Sequence, residues 1–113
     1  ETRAGFSGCS APGSPINGNT ELTQPAQGTC AGVNIPNTAK AVVGNATVVN
    51  SNGGFLTFWP SNAARPLAAN SNFVTGQVHN RHFTVGLGPD GAFKIYSQFT
   101  TDLVIDLSGY FAP

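Results

Sequence analysis

Two histidines and two aspartates are the residues of this sequence whose types and spacing could support acid–base or metal chemistry. His79 and His82 are its only histidines, and they stand three positions apart. In a strand that spacing places them on opposite faces, so they could share a metal only in a loop. Asp102 and Asp106 share one strand face but lie about 13 Å apart, beyond the about 5 to 9.5 Å of a glycosidase carboxyl pair. We therefore expect surface roles for all four residues, with the acids facing solvent or paired with arginine.

Other common signatures of catalysis are missing from the sequence. It contains no Gly-x-Ser-x-Gly nucleophile elbow, no Walker-type phosphate loop and no Cys/His nucleophile setting. These observations predict that the protein is not an enzyme and that it uses no cofactor and no metal.

The two cysteines, Cys9 and Cys30, both lie in the loop-like first third of the chain. In that setting a pair is typical of one disulfide and of an oxidising compartment. Closing a loop of this length stabilises a domain by roughly 3 kcal/mol in the chain-entropy model. Two free buried thiols are the alternative, whereas a metal site lacks further suitable ligands nearby. We predict a Cys9–Cys30 disulfide and a secreted protein.

Aromatic residues supply the candidates for ligand binding. A platform for a sugar or for a protein interface could be formed by Phe55, Phe58, Trp59 and Tyr96, with Tyr110 as a further ring. Aromatic residues in strands more often pack in the core or on a sheet face. Carbohydrate binding or adhesion through these rings is therefore the alternative function rather than the leading one.

A single N-x-S/T sequon, Asn45-Ala46-Thr47, offers a possible glycosylation site at Asn45. It falls in the middle of a predicted strand. There, a side chain that hydrogen-bonds adjacent backbone is the favoured interpretation. The many Ser and Thr residues leave O-glycosylation open.

Charge is scarce in this sequence. Only 9% of the residues are charged and the net charge is zero, against about 25% charged residues in an average domain. Electrostatic repulsion therefore opposes association only weakly. Two explanations fit such a surface: neighbouring subunits or domains cover it, or Asn, Ser, Thr and glycan keep it hydrated. A neutral chain offers no basic surface that would bind nucleic acid or an anionic membrane. No apolar run approaches the roughly 18 residues that cross a bilayer.

The elements that position these residues are strands. Two apolar arms, 41–49 and 55–60, flank the cluster Asn50–Gly54, whose residues tolerate positive φ, and this pattern predicts a central hairpin. Pro60 ends the second arm because it has no N–H to donate. Both faces of that arm carry apolar side chains, so we expect a second sheet to cover one face and a neighbouring molecule to cover the other.

Further strands follow from alternating patterns. Residues 81–87 and 92–97 flank the turn Gly88–Gly91 and predict a second hairpin, with Phe83, Val85, Phe93 and Ile95 facing inward. Residues 101–107 alternate again, and 19–24 form a weaker edge strand. Residues 25–36 are expected to form a loop.

Together these patterns predict one all-β domain over residues 1–113. A loop-rich arm with the disulfide spans 1–36, and a hairpin core spans 37–113. About seven short strands at this spacing indicate an antiparallel β-sandwich of the jelly-roll or immunoglobulin-like kind.

Several segments, taken in order, resemble the motifs of a known family. They resemble D-T-R-x-G-x-x-G, N-V-T-V, G-Y-L-T-V-Y-P, R-P with S-N-L-N-F, G-Q-T/V and D-L-I-x-D-V-x-G-Y-F. The matching segments are Glu1–Gly8, Asn45–Val48, Gly54–Pro60, Arg65-Pro66 with Asn70–Phe73, Gly76–Val78, and Asp102–Phe111. The pattern is similar to a repeated β-module of large secreted and surface proteins in actinobacteria and acidobacteria.

This resemblance implies an extracellular β-module, often in tandem, on the surface of a bacterium, and it transfers no active site. Glu1 stands where the family usually has Asp, and an extended segment that usually precedes this position is missing. The lack of an initiator Met suggests a processed or excised segment. A missing edge strand would leave an unpaired sheet edge, to which a strand of another chain could be added. We expect a non-catalytic structural module that self-associates into a fibre or coat, or packs against tandem copies.

Overall fold

The computed structural model describes residues 16–30, 33–49, 53–67, 71–73, 76 and 78–113. Over these ranges the chain forms nine β-strands and no helix. The strands are β1 Thr20–Pro25, β2 Gly28–Cys30, β3 Val33–Ile35, β4 Ala41–Val49, β5 Gly54–Pro60, β6 Ser71–Phe73, β7 His79–Gly86, β8 Ala92–Ser97 and β9 Asp102–Phe111. Cys9 and the Cys30 side chain lie outside the described part, and so does the predicted disulfide.

All strand pairs are antiparallel, and they form two layers. One sheet has the order β1-β8-β5-β6, and the other has the order β7-β4-β9. β2 and β3 form a separate two-stranded ribbon within the segment predicted as a loop. The predicted all-β antiparallel sandwich is confirmed, with nine described strands instead of about seven.

The two layers bury one core between them. Along β4, buried and half-buried residues alternate, so that Val42, Ala46 and Val48 face inward and are fully buried. Three rings join the layers at the centre of the core: Phe58 from β5, Phe83 from β7 and Phe93 from β8. The rings of Phe58 and Phe83 stack with centroids 4.6 Å apart. Phe93 lies 5.8 Å from Phe83 and 6.4 Å from Phe58.

Both predicted hairpins are wrong, although their strands are present. β4 pairs with β7 and β9, whereas β5 pairs with β6 and β8. β7 and β8 are likewise in different sheets. The turn between them forms as predicted, since the Gly91 N–H donates to the Gly88 carbonyl at 2.9 Å. A tight reversal therefore connects the two layers here instead of two neighbouring strands of one sheet.

The inward positions and the predicted edge strand are confirmed. Phe83, Val85, Phe93 and Ile95 are all buried, and β1 forms one edge of the four-stranded sheet. β9 contains a β-bulge, because Val43 pairs with Gly109 whereas Gly44 pairs with Leu107. At this point β9 lies so close that a Cβ on Gly44 would come 2.3 Å from the backbone oxygen of Asp106.

Candidate functional site

The outer face of the three-stranded sheet brings His82, Asn45 and Asp106 into one row. Asn45 of the central strand pairs with His82 of β7 on one side and with Asp106 of β9 on the other. Directly paired residues of antiparallel strands project from the same face, with Cβ atoms about 4.5–5.5 Å apart. His82 and Asp106 are exposed and Asn45 is half-buried. The row therefore offers imidazole, amide and carboxylate groups to a partner over a width of roughly 10 Å.

One end of this outer face is occupied by Ala41, Gly86, Gly109 and Phe111, and the remaining positions are β-branched or polar. They are Val43, Thr47 and Val49 on β4, Asn80 and Thr84 on β7, and Asp102 and Val104 on β9. The β4 side chains are half-buried between the two flanking strands. Its acidic side chains lie on the β9 flank, His82 lies on the β7 flank, and Phe111 lies at one end of the face.

His82 belongs to no cluster of metal ligands among the described residues, and the His79 side chain lies outside the described part of the structure. Both histidines lie in β7 rather than in a loop. For two histidines three positions apart in a strand, the sequence predicts no shared metal. In the described part of the chain, no three His, Cys, Asp or Glu side chains are grouped so that they could hold a metal ion. His82 and Asp106 flank Asn45 instead of contacting each other, so the row does not form a general acid–base pair.

The aromatic candidates are mostly buried. Phe58 packs in the core, and Trp59 and Tyr96 on the opposite face of the four-stranded sheet are only 3% and 7% exposed. Phe55 is half-buried, and its ring centroid lies 5.7 Å from that of Tyr96. β5 is therefore buried on both faces, as the sequence predicts. The three buried rings present no open platform to a sugar.

The connection after β5 covers the Trp59 face. We call residues 61–67 the strap. The Trp59 Nε1–H donates to the Ala63 carbonyl at 3.1 Å, and the Arg65 guanidinium lies 3.8 Å above the centre of the Tyr96 ring. The expectation that a neighbouring molecule covers this face is wrong, because the protein's own chain covers it. The strap sequence, Ser-Asn-Ala-Ala-Arg-Pro-Leu, carries no periodic pattern that would predict such a cover.

The start of the strap is tied to the β7–β8 turn. The Asp90 carboxylate accepts hydrogen bonds from the Ser61 hydroxyl at 2.5 Å and from the Ala92 N–H at 3.2 Å. The bond from Ser61, followed by smaller contributions, lowers the pKa of Asp90 below its ordinary value. Burial opposes this shift. Since both partners hold a turn in place, the pair is structural.

Asn45, the predicted glycosylation site, lies at the middle of β4 on the outer face. Thr47, which completes the sequon, occupies the next outward position of the same strand and is also half-buried. Glycosylation of Asn45 stays a prediction.

No family model, curated protein or solved structure matches this chain. The described residues include no helix that could cross a membrane. The class defined by the fold alone is an antiparallel β-sandwich.

Proposed function

We propose that the protein is a non-catalytic structural module of an extracellular assembly, which packs against copies of itself or against neighbouring β-modules. The observation that carries this proposal is the exposure of large apolar side chains on a domain that is poor in charge. Leu67 is fully exposed, and Phe111 and Tyr110 are 57% and 45% exposed. Val78 and Phe99 are exposed as well.

Covering such side chains favours association. Tyr110 and Phe111 are consecutive residues of β9 and project from opposite faces, and covering the exposed half of either ring would contribute on the order of 1 kcal/mol before the cost of association is subtracted. With 9% charged residues and zero net charge, electrostatic repulsion between copies is weak. Both properties favour a domain that works in contact with other domains.

The arrangement of polar groups supports a non-catalytic role. Asp90 and Ser61 hold a turn, and Asn45 separates His82 from Asp106. Secretion, the Cys9–Cys30 disulfide and a bacterial cell surface belong to the same proposal. The similarity of the motifs to a repeated surface β-module supports them.

Carbohydrate binding is the weaker alternative, because burial of Phe58, Trp59 and Tyr96 argues against a sugar platform on those rings. A glycan array checks this alternative directly. Specific binding that Tyr110→Ala abolishes would favour a sugar site on the exposed rings over assembly.

Sedimentation of the whole chain tests the assembly proposal. We expect the average mass to rise above the monomer mass of 11.6 kDa as the concentration increases from about 10 μM to about 1 mM. Phe111→Ser should reduce this rise because it removes exposed apolar surface. A natively folded protein that stays monomeric over the whole range would contradict the proposal.

A further inference from the structure

The outer face of the three-stranded sheet carries hydrogen-bonding groups in an arrangement that two copies of the face could complement. Its central row runs from His82 on one flank through Asn45 to Asp106 on the other. Resting on the proposed function, we infer that a second copy of this chain docks face to face here. The two-fold axis of this dimer runs parallel to β4 and passes over Asn45.

The direction of the axis follows from the charges. A two-fold axis parallel to β4 exchanges the flanks, so that His82 of each copy faces Asp106 of the other and Asn45 faces its own counterpart. An axis across the strands would instead place Asp106 against Asp106, and like charges in contact are unfavourable. An imidazole N–H can donate to a carboxylate, and two amides can each donate to the other.

The side chains along the axis suit sheet packing. Val43, Thr47 and Val49 are half-buried on either side of Asn45, so a facing copy completes their burial. Sheets that pack face to face align within about 30° and lie about 10 Å apart, and two copies related by this axis can pack in this way. The outer face of the other sheet is covered over Trp59 and Tyr96 by the strap. The three-stranded sheet is therefore the better candidate for a second copy.

The size of the face sets the strength of the contact. Three strands spaced about 4.8 Å apart and a β9 of ten residues give roughly 450 Å² per copy. A stable dimer buries about 800 Å² per partner. The contact is therefore weak when copies are free and gains strength where copies are held close together in an array or in tandem.

A charge swap tests the inference. In sedimentation experiments, H82D places two acids opposite each other and D106H places two imidazoles opposite each other. Each single variant should weaken self-association by about tenfold or more. The double variant H82D/D106H restores opposite partners across the axis and should associate like the wild type. T23D is the matched control, because Thr23 is exposed on β1 of the other sheet.

A cross-link provides a test that does not depend on charge. Because Asn45 lies on the axis and the facing sheets are about 10 Å apart, N45C should form a covalent dimer with a bis-maleimide cross-linker of about that length, whereas T23C should not. If the wild type associates but H82D, D106H and T23D all associate equally well, the inferred face is wrong and another surface carries the assembly. A wild type that stays monomeric contradicts the proposed function itself.

Discussion

Gly44 shows how closely a single position can be constrained by a neighbouring strand. A Cβ at this site would lie 2.3 Å from the Asp106 backbone oxygen, so β9 has to shift away from β4. We expect Gly44→Ala to lower the free energy of unfolding by about 2–3 kcal/mol, as measured by urea denaturation. Gly109→Ala is the control, since its Cβ would meet the movable Val43 side chain at 3.3 Å. Equal losses in both variants would contradict this explanation.

Asp90 makes the stability of the fold depend on pH. Its pKa is lowered in the folded protein, chiefly by the hydrogen bond from Ser61. Its stabilising contribution is therefore present above the pKa of the unfolded chain and disappears as the pH falls through the lowered folded value. Asp90→Asn should melt at a lower temperature than the wild type at neutral pH, and the difference should shrink below about pH 4.

Ser61→Ala removes the main cause of that pKa shift and leaves the carboxylate in place. Its melting temperature should show the same convergence with the wild type in acid. A difference from the wild type that stays constant from neutral pH to acid, in either variant, would show that packing rather than ionisation controls this turn.

At the scale of elements, the strap over β5 is held by few contacts. Arg65 covers the Tyr96 ring, and Ala63 accepts the Trp59 N–H. A cation–π contact at an exposed site contributes about 0.5–1 kcal/mol. Arg65→Ala should therefore increase the fraction of molecules in which the strap has moved away from Trp59 by about two- to fivefold. Because Trp59 is the single tryptophan, acrylamide quenching of its fluorescence measures this opening.

Lys40→Ala is the control for the strap, since it removes an exposed cation next to β4 in the other sheet. Quenching of Trp59 should stay at the wild-type level in this variant. If Arg65→Ala leaves quenching unchanged as well, the Arg65 contact does not hold the strap closed.

The strands could be predicted from the sequence because alternation is a local property. Val42 and Val48 on β4, and Phe83 and Val85 on β7, follow a period of two that is readable without partners. The pairing could not be predicted, since a turn fixes only the reversal of the chain. Whether the next strand joins the same sheet depends on distant strands such as β9.

The same limit applies to the candidate site. The outward positions of His82, Asn45 and Asp106 could be predicted strand by strand, but their alignment in one row depends on the registers of β4 with β7 and β9. The burial of Trp59 could be expected from the two apolar faces of β5. Its cover by residues 61–67 could not, because those residues have no apolar periodicity.

At the scale of the whole molecule, the chain repeatedly crosses between the layers. β4, β7 and β9 lie in one sheet, whereas β5, β6 and β8 lie in the other. Neither sheet can be completed before most of the chain is in place, since β4 needs β9 and β1 needs β8. Such non-local pairing favours slow, cooperative folding in which both layers form together.

The stability of the molecule therefore depends on the residues that join the two layers. Phe93 is fully buried and contacts both Phe58 and Phe83, so Phe93→Ala should cost about 3–5 kcal/mol. This is a large share of the about 5–15 kcal/mol that stabilises a typical domain. Phe111→Ala removes an equally large ring that is 57% exposed and should cost less than about 1 kcal/mol. Urea denaturation of dilute protein compares the two variants, and similar losses would mean that the inter-sheet core is not the main source of stability.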